Sequence, residues 1–598
     1  MRCGYPRPVQ KSFFRRGMPL FFCCMADLQA QLDKIRSGKI WNWCVRHPCW
    51  ALAVLSMVTL APFLAKPFNI DDPCYVWSAK QILAHPTAPY SFSVNWNGTP
   101  QPMWIVTQNP PLDCYLIALA AWLFGGNEAG IHLFFLLPVI AVVLGTFRLA
   151  GNFCRSPAFA AGMTLFMPAF LVSSTTVMCD VPMLAWWIWA VVFWVEGTSQ
   201  NKTLKLVAAG SLMALAAMTK YNAVCLIPLL AAYSLVSGRW SWRWLLCLLI
   251  PIATIAAYQI ITQKLYGFAL LSQASAYAGT ARSTFHFSAI NSCQTALTFI
   301  GGCFAPAVFL LPFLAGGRTR SWLMAGSVGF AAMMVFNGPI QESYVTIPAG
   351  QKFIVGLQII FWMAGGNLLL ALAVREVWRQ RDATACLLTF WILGIFLFAA
   401  FFNWTVNART LLPMTPAVAI LLTRCLERQF SVGGAEKTFP SPVSAVFVLG
   451  AMLAILLAHA DFSQAVAVRS TARAVTARYG TGAGTLWFDG NWGYQYYMEQ
   501  GGASGVDIKQ PQLKAGDILA LPLNNSVLRQ PDPERATLQD AITAPGDAWF
   551  TTMSATCGAG FYAATHGPLP FALGRIPPEC VCVFAIHEPR LAPVSKSR

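Results

Sequence analysis

Two carboxylates stand side by side in Asn69-Ile70-Asp71-Asp72-Pro73-Cys74-Tyr75. Adjacent carboxylates repel, which raises one of the two pKa values. A carboxylate tuned in that way can act as general base on a hydroxyl or an amine. The competing reading is a helix start, because Asp before Pro is a common N-terminal signature. A third carboxylate, Asp180, opens an apolar run in Val177-Met178-Cys179-Asp180-Val181-Pro182. It either caps that helix or, as an ionisable group set into an apolar segment, serves a site. Two cations follow: Lys220, in Met218-Thr219-Lys220-Tyr221-Asn222 between two apolar runs, and Arg409, in Asn407-Ala408-Arg409-Thr410-Leu411-Leu412-Pro413 at the head of another. A lysine at such a tip either snorkels or holds an anion such as a phosphate, helped by the free N–H groups of a helix start. Tyr75 and Tyr221 lie next to these charges and are read with them as ligand contacts. The neighbouring Trp77, Tyr90, Trp96 and Trp104 fit an interfacial aromatic belt better than a stacking platform.

The elements that must position these residues are membrane helices. Of 598 residues, 56% are hydrophobic and 11% charged, against roughly 25% charged in a soluble domain. Apolar runs at 49–68, 131–150, 157–173, 181–196, 206–218, 222–237, 244–262, 298–316, 321–337, 353–374, 384–402, 409–423 and 442–460 predict about 13 spans of a ~30 Å hydrocarbon layer. The run at 110–124, with Asp113 inside it, is short and reads as a helix near the interface. The net charge is +17. A nucleic-acid binder is set aside, because the basic residues sit where the positive-inside rule puts them. With the N-terminus inside, alternate loops hold Arg148 and Arg155, Lys202 and Lys205, Arg239 and Arg243, Arg318 and Arg320, Arg375 to Arg381, and Arg424 to Lys437. The opposite loops carry Asp71, Asp72, Asp180 and Glu342. Lys220 and Arg409 run against that bias, near two acidic sites, which points to an anionic ligand outside.

This topology divides the chain into a basic cytoplasmic tail (1–47), a transmembrane domain (48–460) with a first external loop at 69–130, and an external domain (461–598). The tail reads as cytoplasmic, with an interfacial helix over Ala26–Trp43 and a start at Met18 or Met25 in view. In the last domain the pattern predicts a helix over Ser463–Tyr479, a strand over Thr485–Asp489, a helix over Tyr494–Gln500 and a strand over Asp517–Leu523. The glycines of Gly480-Thr481-Gly482-Ala483-Gly484 precede a strand, whereas a dinucleotide loop follows one and opens a helix. Of 18 cysteines, most sit in apolar runs as small hydrophobes. Cys74, Cys114, Cys557, Cys580 and Cys582 fall in external segments, with connectivity open. Asn97-Gly98-Thr99 matches a glycosylation acceptor, a pattern frequent by chance.

Four features follow one another on the external side. The acidic pair Asp71-Asp72 has Tyr75 and Ala79 behind it. Asn109-Pro110-Pro111-Leu112 opens a juxtamembrane helix ending at Phe124-Gly125. Asp180-Val181-Pro182 opens a span, and Thr219-Lys220 and Arg409 to Pro413 complete the set. In this order they resemble the GT-C fold glycosyltransferases, in particular the glycosyltransferase family 39-like group of protein O-mannosyltransferases and lipid A aminoarabinose transferase. Asp72 stands where that group usually has Glu, and Thr410 follows Arg409 where an aromatic is usual. The resemblance covers about 48–460. It implies an all-α polytopic GT-C membrane protein, to which the external α/β domain is added. It also implies an inverting transfer of sugar from a polyprenyl-phosphate donor to a lipid, glycan or protein acceptor. Asp71 is then the base, Asp72 or Asp180 orients it, and Lys220 and Arg409 neutralise the leaving phosphate, with Tyr75 and Tyr221 as further substrate contacts. No cofactor is implied. Related oligosaccharyltransferases use a metal; two carboxylates and no clear third ligand leave that open here.

The rivals are a transporter or lipid flippase and a non-catalytic sensor or assembly protein on the same fold. A transporter favours internal repeats and helices broken near the midplane, and the sequence has neither signal. A sensor would tolerate loss of Asp71. The overall style points to a bacterial inner membrane, N-terminus cytoplasmic and C-terminal domain periplasmic.

Overall fold

A computed structural model describes residues 39–107, 109–284, 288–314, 317–337, 347–430, 439–510, 512–526 and 528–588. The expected helix over Ala26–Trp43 and the acidic Glu342 lie wholly or largely outside them. The chain divides into two compact units, 1–51 and 52–598, and the second carries everything that follows.

Seven helices are long and apolar enough to cross a membrane: Glu128–Ala150, Asp180–Gln200, Trp242–Tyr266, Ala349–Gln380, Ala383–Phe402, Ala408–Phe430 and Ser441–Tyr479. An eighth forms if Ala289–Cys303 and Ala305–Leu314, bent by 77°, count as one span. Five shorter apolar helices accompany them: Pro48–Phe63, Leu112–Phe124, Thr203–Thr219, Tyr221–Val236 and Ser321–Phe336. Helices are the form in which a chain satisfies its own backbone inside lipid. The protein is an integral, multi-pass, mostly helical membrane protein. The expected count of about 13 takes each apolar run as one crossing, whereas several of these helices are too short for that by themselves. The run at 157–173 is two pieces, Pro157–Leu165 and Pro168–Ser173. They break at Phe166 and Met167, because the residue before a proline is pushed out of the helical region.

Small residues let these helices meet closely. A Cβ on Gly301 would lie 1.8 Å from the Trp362 carbonyl oxygen, and one on Gly366 would lie 2.0 Å from that of Leu297. Ala289–Cys303 and Ala349–Gln380 therefore touch backbone to backbone.

The last span does not stop at 460. Ser441–Tyr479 is one helix of 39 residues, so the expected boundary after 460 falls inside a continuous rod. The helix expected over Ser463–Tyr479 is its second half. The glycine-rich 480–484 turn then leads into a strand, β1 (Leu486–Phe488), and a helix, Trp492–Gln500. Further strands are β2 (Ser504–Gly505), β3 (Ile518–Pro522), β4 (Ala536–Ala544) and β5 (Glu579–Ile586), in the order β2-β1-β3-β5-β4. The first three run parallel, and β5 is antiparallel to both neighbours. The small α/β reading stands. Strands β2, β4 and β5 are additions to it, and β4 escaped notice because it is an edge strand with mostly exposed side chains.

The sheet-bearing region docks on one end of the helices. Tyr497 Oη accepts from the Phe68 N–H at 2.9 Å and donates to Glu128 at 2.5 Å. Arg469 reaches the same Glu128 at 2.5 Å. Ala408 N–H donates to Phe561 O, and Ala564 N–H to Val406 O, both at 2.9 Å.

Candidate active site

Asp71 occupies the N-cap position of the helix Asp72–Ala84, yet its side chain makes no cap hydrogen bond. Its Oδ2 instead accepts from Arg409 Nη2 at 2.7 Å. A simple helix cap would have turned back to its own backbone; Asp71 does not. Asp180 begins the helix Asp180–Gln200 and is almost fully buried. Lys220 Nζ donates to its Oδ1 at 2.6 Å, and Arg409 Nη1 lies 3.8 Å from its Oδ2. Lys220 stands at the end of Thr203–Thr219, before the short 3-10 turn Tyr221–Cys225. Four residues up to 338 positions apart thus form one alternating chain, Asp71–Arg409–Asp180–Lys220. Its members differ in access: the Asp71 side chain is 31% exposed and that of Asp180 only 1%.

Neighbouring groups fix the arginine. Nη1 also points at Met178 Sδ, 2.8 Å away, and the guanidinium lies 5.8 Å from the centre of the Tyr562 ring, within cation–π range. The buried Nε has no hydrogen-bond partner among the described residues. Tyr75 closes one side. Its hydroxyl lies 3.1 Å from Cys179 Sγ and accepts from Asn109 Nδ2 at 3.1 Å, which brings the Asn-Pro-Pro-Leu segment against the residue before Asp180.

Two expected members do not join. Asp72 is fully buried, and its oxygens accept from the backbone N–H groups of Asn69, at 3.1 Å, and Val177, at 3.0 Å. It ties the loop after the first helix to the loop before Asp180. Burial pushes its carboxyl up to about 7, against the opposing pull of Lys66 and the two backbone donors. Of the two residues expected to orient Asp71, Asp72 makes no contact with it: consecutive positions at a helix start send Asp71 and Asp72 to different partners. Tyr221 faces Tyr258, with ring centres 6.5 Å apart, rather than the charged chain.

A second buried network supports the first. Lys66 pairs with Asp461 and donates to Thr175 Oγ1 at 3.0 Å. Thr552 and Tyr562 donate to Asp461 at 2.6 and 2.9 Å. Tyr562, the ring beneath Arg409, is therefore held by a carboxylate inside the long last helix. Sequence reasoning passed over Lys66 and Asp461, although the signal was available: a lone ionisable residue ends each of the first and last apolar runs, and such groups pair with one another. Tyr562 had no signal, because only the tertiary fold brings the C-terminal region over Arg409. Asp113 is also fully buried, and neither carboxylate oxygen has a hydrogen-bond partner among the described residues. Among the described residues, no group of three or more His, Cys, Asp or Glu side chains is arranged to hold a metal ion, and every described cysteine is a free thiol.

Elsewhere on the same helices lies an apolar groove of about 480 Å³. Leu116, Phe135, Pro138, Pro182, Trp186, Trp189 and Phe193 line it.

No curated protein sequence matches the chain. Among solved structures, ArnT from Cupriavidus metallidurans bound to undecaprenyl phosphate aligns with a TM-score of 0.47 at 14% identity, over 80% of this chain and 93% of that one. The Archaeoglobus fulgidus oligosaccharyltransferase tethered to an acceptor peptide aligns with a TM-score of 0.45 at 12% identity, over 79% and 66%. AglB from the same organism, in complex with an inhibitory peptide and a dolichol-phosphate, gives 0.42 at 13%, over 76% and 64%. Residues 108–258, about a quarter of the chain, match the family model described as dolichyl-phosphate-mannose-protein mannosyltransferase. That stretch holds Asn109, Asp180 and Lys220 but neither Asp71 nor Arg409. Over residues 108–258, then, the sequence is similar to the dolichyl-phosphate-mannose-protein mannosyltransferases, in keeping with the resemblance read from its motifs.

Proposed function

We propose that the protein is a membrane glycosyltransferase that moves a sugar from a polyprenyl-phosphate carrier to a lipid, glycan or protein acceptor, with inversion. The observation that carries this reading is the joint hold of Asp180 on Lys220 and Arg409, with Asp71, the more open carboxylate, on the outer side of Arg409. The two cations suit a phosphate, and the apolar groove has the chemistry to hold a prenyl chain. The unpartnered Nε of Arg409 is a donor ready for a phosphate oxygen.

In the reaction, an acceptor hydroxyl or amine gives its proton to Asp71 and attacks the anomeric carbon. The new bond forms on the face opposite the phosphate. The bond from that carbon to the phosphate oxygen breaks, and its electron pair leaves with the phosphate, whose charge Arg409 and Lys220 stabilise. The transition state has oxocarbenium character, so the carboxylates also help electrostatically. Asp180 holds both cations in place and is a positioning residue.

The opposite helix ends carry Arg148 and Lys205 around Glu196 and Arg424 with Asp382. By the positive-inside rule that end is cytoplasmic. The transfer site and the C-terminal domain then face outward, to the periplasm if the membrane is a bacterial inner membrane.

The test is sugar transfer from a panel of polyprenyl-phosphate sugars by the purified chain in lipid nanodiscs, wild type against Asp71→Asn. Loss of a general base lowers transfer by about 10²- to 10⁴-fold, and the wild type should transfer where the variant does not. Normal transfer by Asp71→Asn removes Asp71 as the base. Transbilayer movement of the lipid without transfer, from every donor, would make the protein a flippase.

A further inference from the structure

A second cavity, of about 220 Å³, opens in the C-terminal region, outside the charged site. At its base is Glu579, the first residue of β5. Its Oε1 accepts from Gln464 Nε2 at 3.2 Å and from Asn524 Nδ2 at 3.0 Å. Both amides also donate to the Met553 carbonyl, at 2.7 and 3.0 Å. The carboxylate is thus clamped through one oxygen, and Oε2 remains for a ligand. Burial pushes the carboxyl above its ordinary range, while the two amides pull it back. Thr551, Ser554 and Thr556 line the cavity with Phe550 and Pro577, which supply flat apolar faces. A second carboxylate, Asp547, stands at the edge, and no Lys or Arg appears among the described residues that line it.

This chemistry is selective. Fixed carboxylate and amide groups suit a ligand rich in hydroxyl donors, and the flat faces suit its C–H surfaces. Two carboxylates without a cation exclude phosphates and other anions, in a chain whose net charge is +17. Room for one ring, hydroxyl-rich and neutral or cationic, describes a sugar or an amino sugar. The cavity also lies beside the Asp461 network that supports the charged chain. Gln464 lies about one helical turn beyond Asp461 on the same rod, and Thr551 precedes Thr552, which holds Asp461.

We propose that this cavity binds a neutral or amino sugar unit and anchors the glycan part of an acceptor. Only its role in holding an acceptor rests on the transferase reading; the binding itself does not. Glu579 accepts the sugar hydroxyls, and Phe550 packs against the ring.

The experiment is saturation-transfer NMR on the full chain in nanodiscs. The probes are methyl β-glucoside, N-acetylglucosamine and glucosamine, with glucuronate as the anionic comparison. Saturable binding of at least one of the first three is expected, with none of glucuronate. Which one binds separates a neutral from an amino sugar. Glu579→Gln keeps an oxygen for the two amides but loses the charge, and should weaken binding about tenfold or more. Phe550→Ser should weaken it through lost ring contact, and a thermal melt of each variant checks the fold. Asp71→Asn should bind sugar normally, which separates a failure of this site from a failure of the transferase reading. The proposal is overturned if none of the three probes binds, if glucuronate binds as well as they do, or if folded Glu579→Gln binds like the wild type.

Discussion

Asp180→Asn is the perturbation that tests the charged chain most directly. At 2.6 Å and an effective dielectric of ~20, the attraction between Asp180 and Lys220 is roughly 6 kcal/mol. Desolvation of both groups offsets much of it, and breaking a buried pair from one side costs about 3–5 kcal/mol because the partner is stranded. Lys220 keeps some access, with 16% of its side chain exposed, and Arg409 retains Asp71. The lower end, about 3 kcal/mol, is therefore expected. Replacing both partners, as Asp180→Leu with Lys220→Met, should recover most of that loss, since two matched apolar groups leave no orphan charge. The assay is thermal unfolding, at fixed lipid composition, of Asp180→Asn and of the cycle made by the wild type, Asp180→Leu, Lys220→Met and their double variant. A second arm adds polyprenyl phosphate. If Lys220 holds the lipid phosphate, the lipid supplies the charge that Asp180→Asn removed, and it should raise the melting temperature of that variant more than that of the wild type. A coupling below about 0.5 kcal/mol, or equal stabilisation of both proteins by the lipid, refutes the reasoning.

Two further outcomes follow from other parts of the fold. Burial pushes His566 down to about 4, so between that value and its unfolded value of about 6.5 the unfolded chain binds more protons. Stability is then complete above pH ~6.5 and falls toward pH 4, by at most about 3 kcal/mol; His566→Phe should flatten this part of a pH series of melts, and an unchanged slope would disprove the burial. Gly366→Ala would place a methyl 2.0 Å from the Leu297 carbonyl oxygen, so it should separate two helices and lower the yield of folded protein in detergent. Gly394→Ala, with open space around its Cβ position, should be tolerated.

The amino-acid sequence by itself determined the class of the protein. Apolar runs of span length and basic residues in alternate loops are one-dimensional signals, because a bilayer imposes its thickness and its charge bias along the chain. The same holds for Asp71, Asp180, Lys220 and Arg409. Each stands out as a charge at the end of an apolar run, and the structure joins all four. What sequence could not supply was the division of labour between neighbours. Asp71 and Asp72 look equivalent as letters, yet one reaches Arg409, 338 positions away, and the other closes two backbone loops. That choice depends on side-chain direction at a helix start, which follows only once the partner helices are placed. Lys66 and Asp461 needed their pairing, 395 positions apart, to be read as one network. Tyr562 and Glu579 needed the C-terminal sheet to be folded over the helix ends. Their types are common in any polar domain, so position in space alone gives them meaning. The boundary after 460 misled for the converse reason: hydropathy falls where the rod leaves the apolar layer, but helical hydrogen bonding does not depend on hydropathy and carries the same helix on to Tyr479.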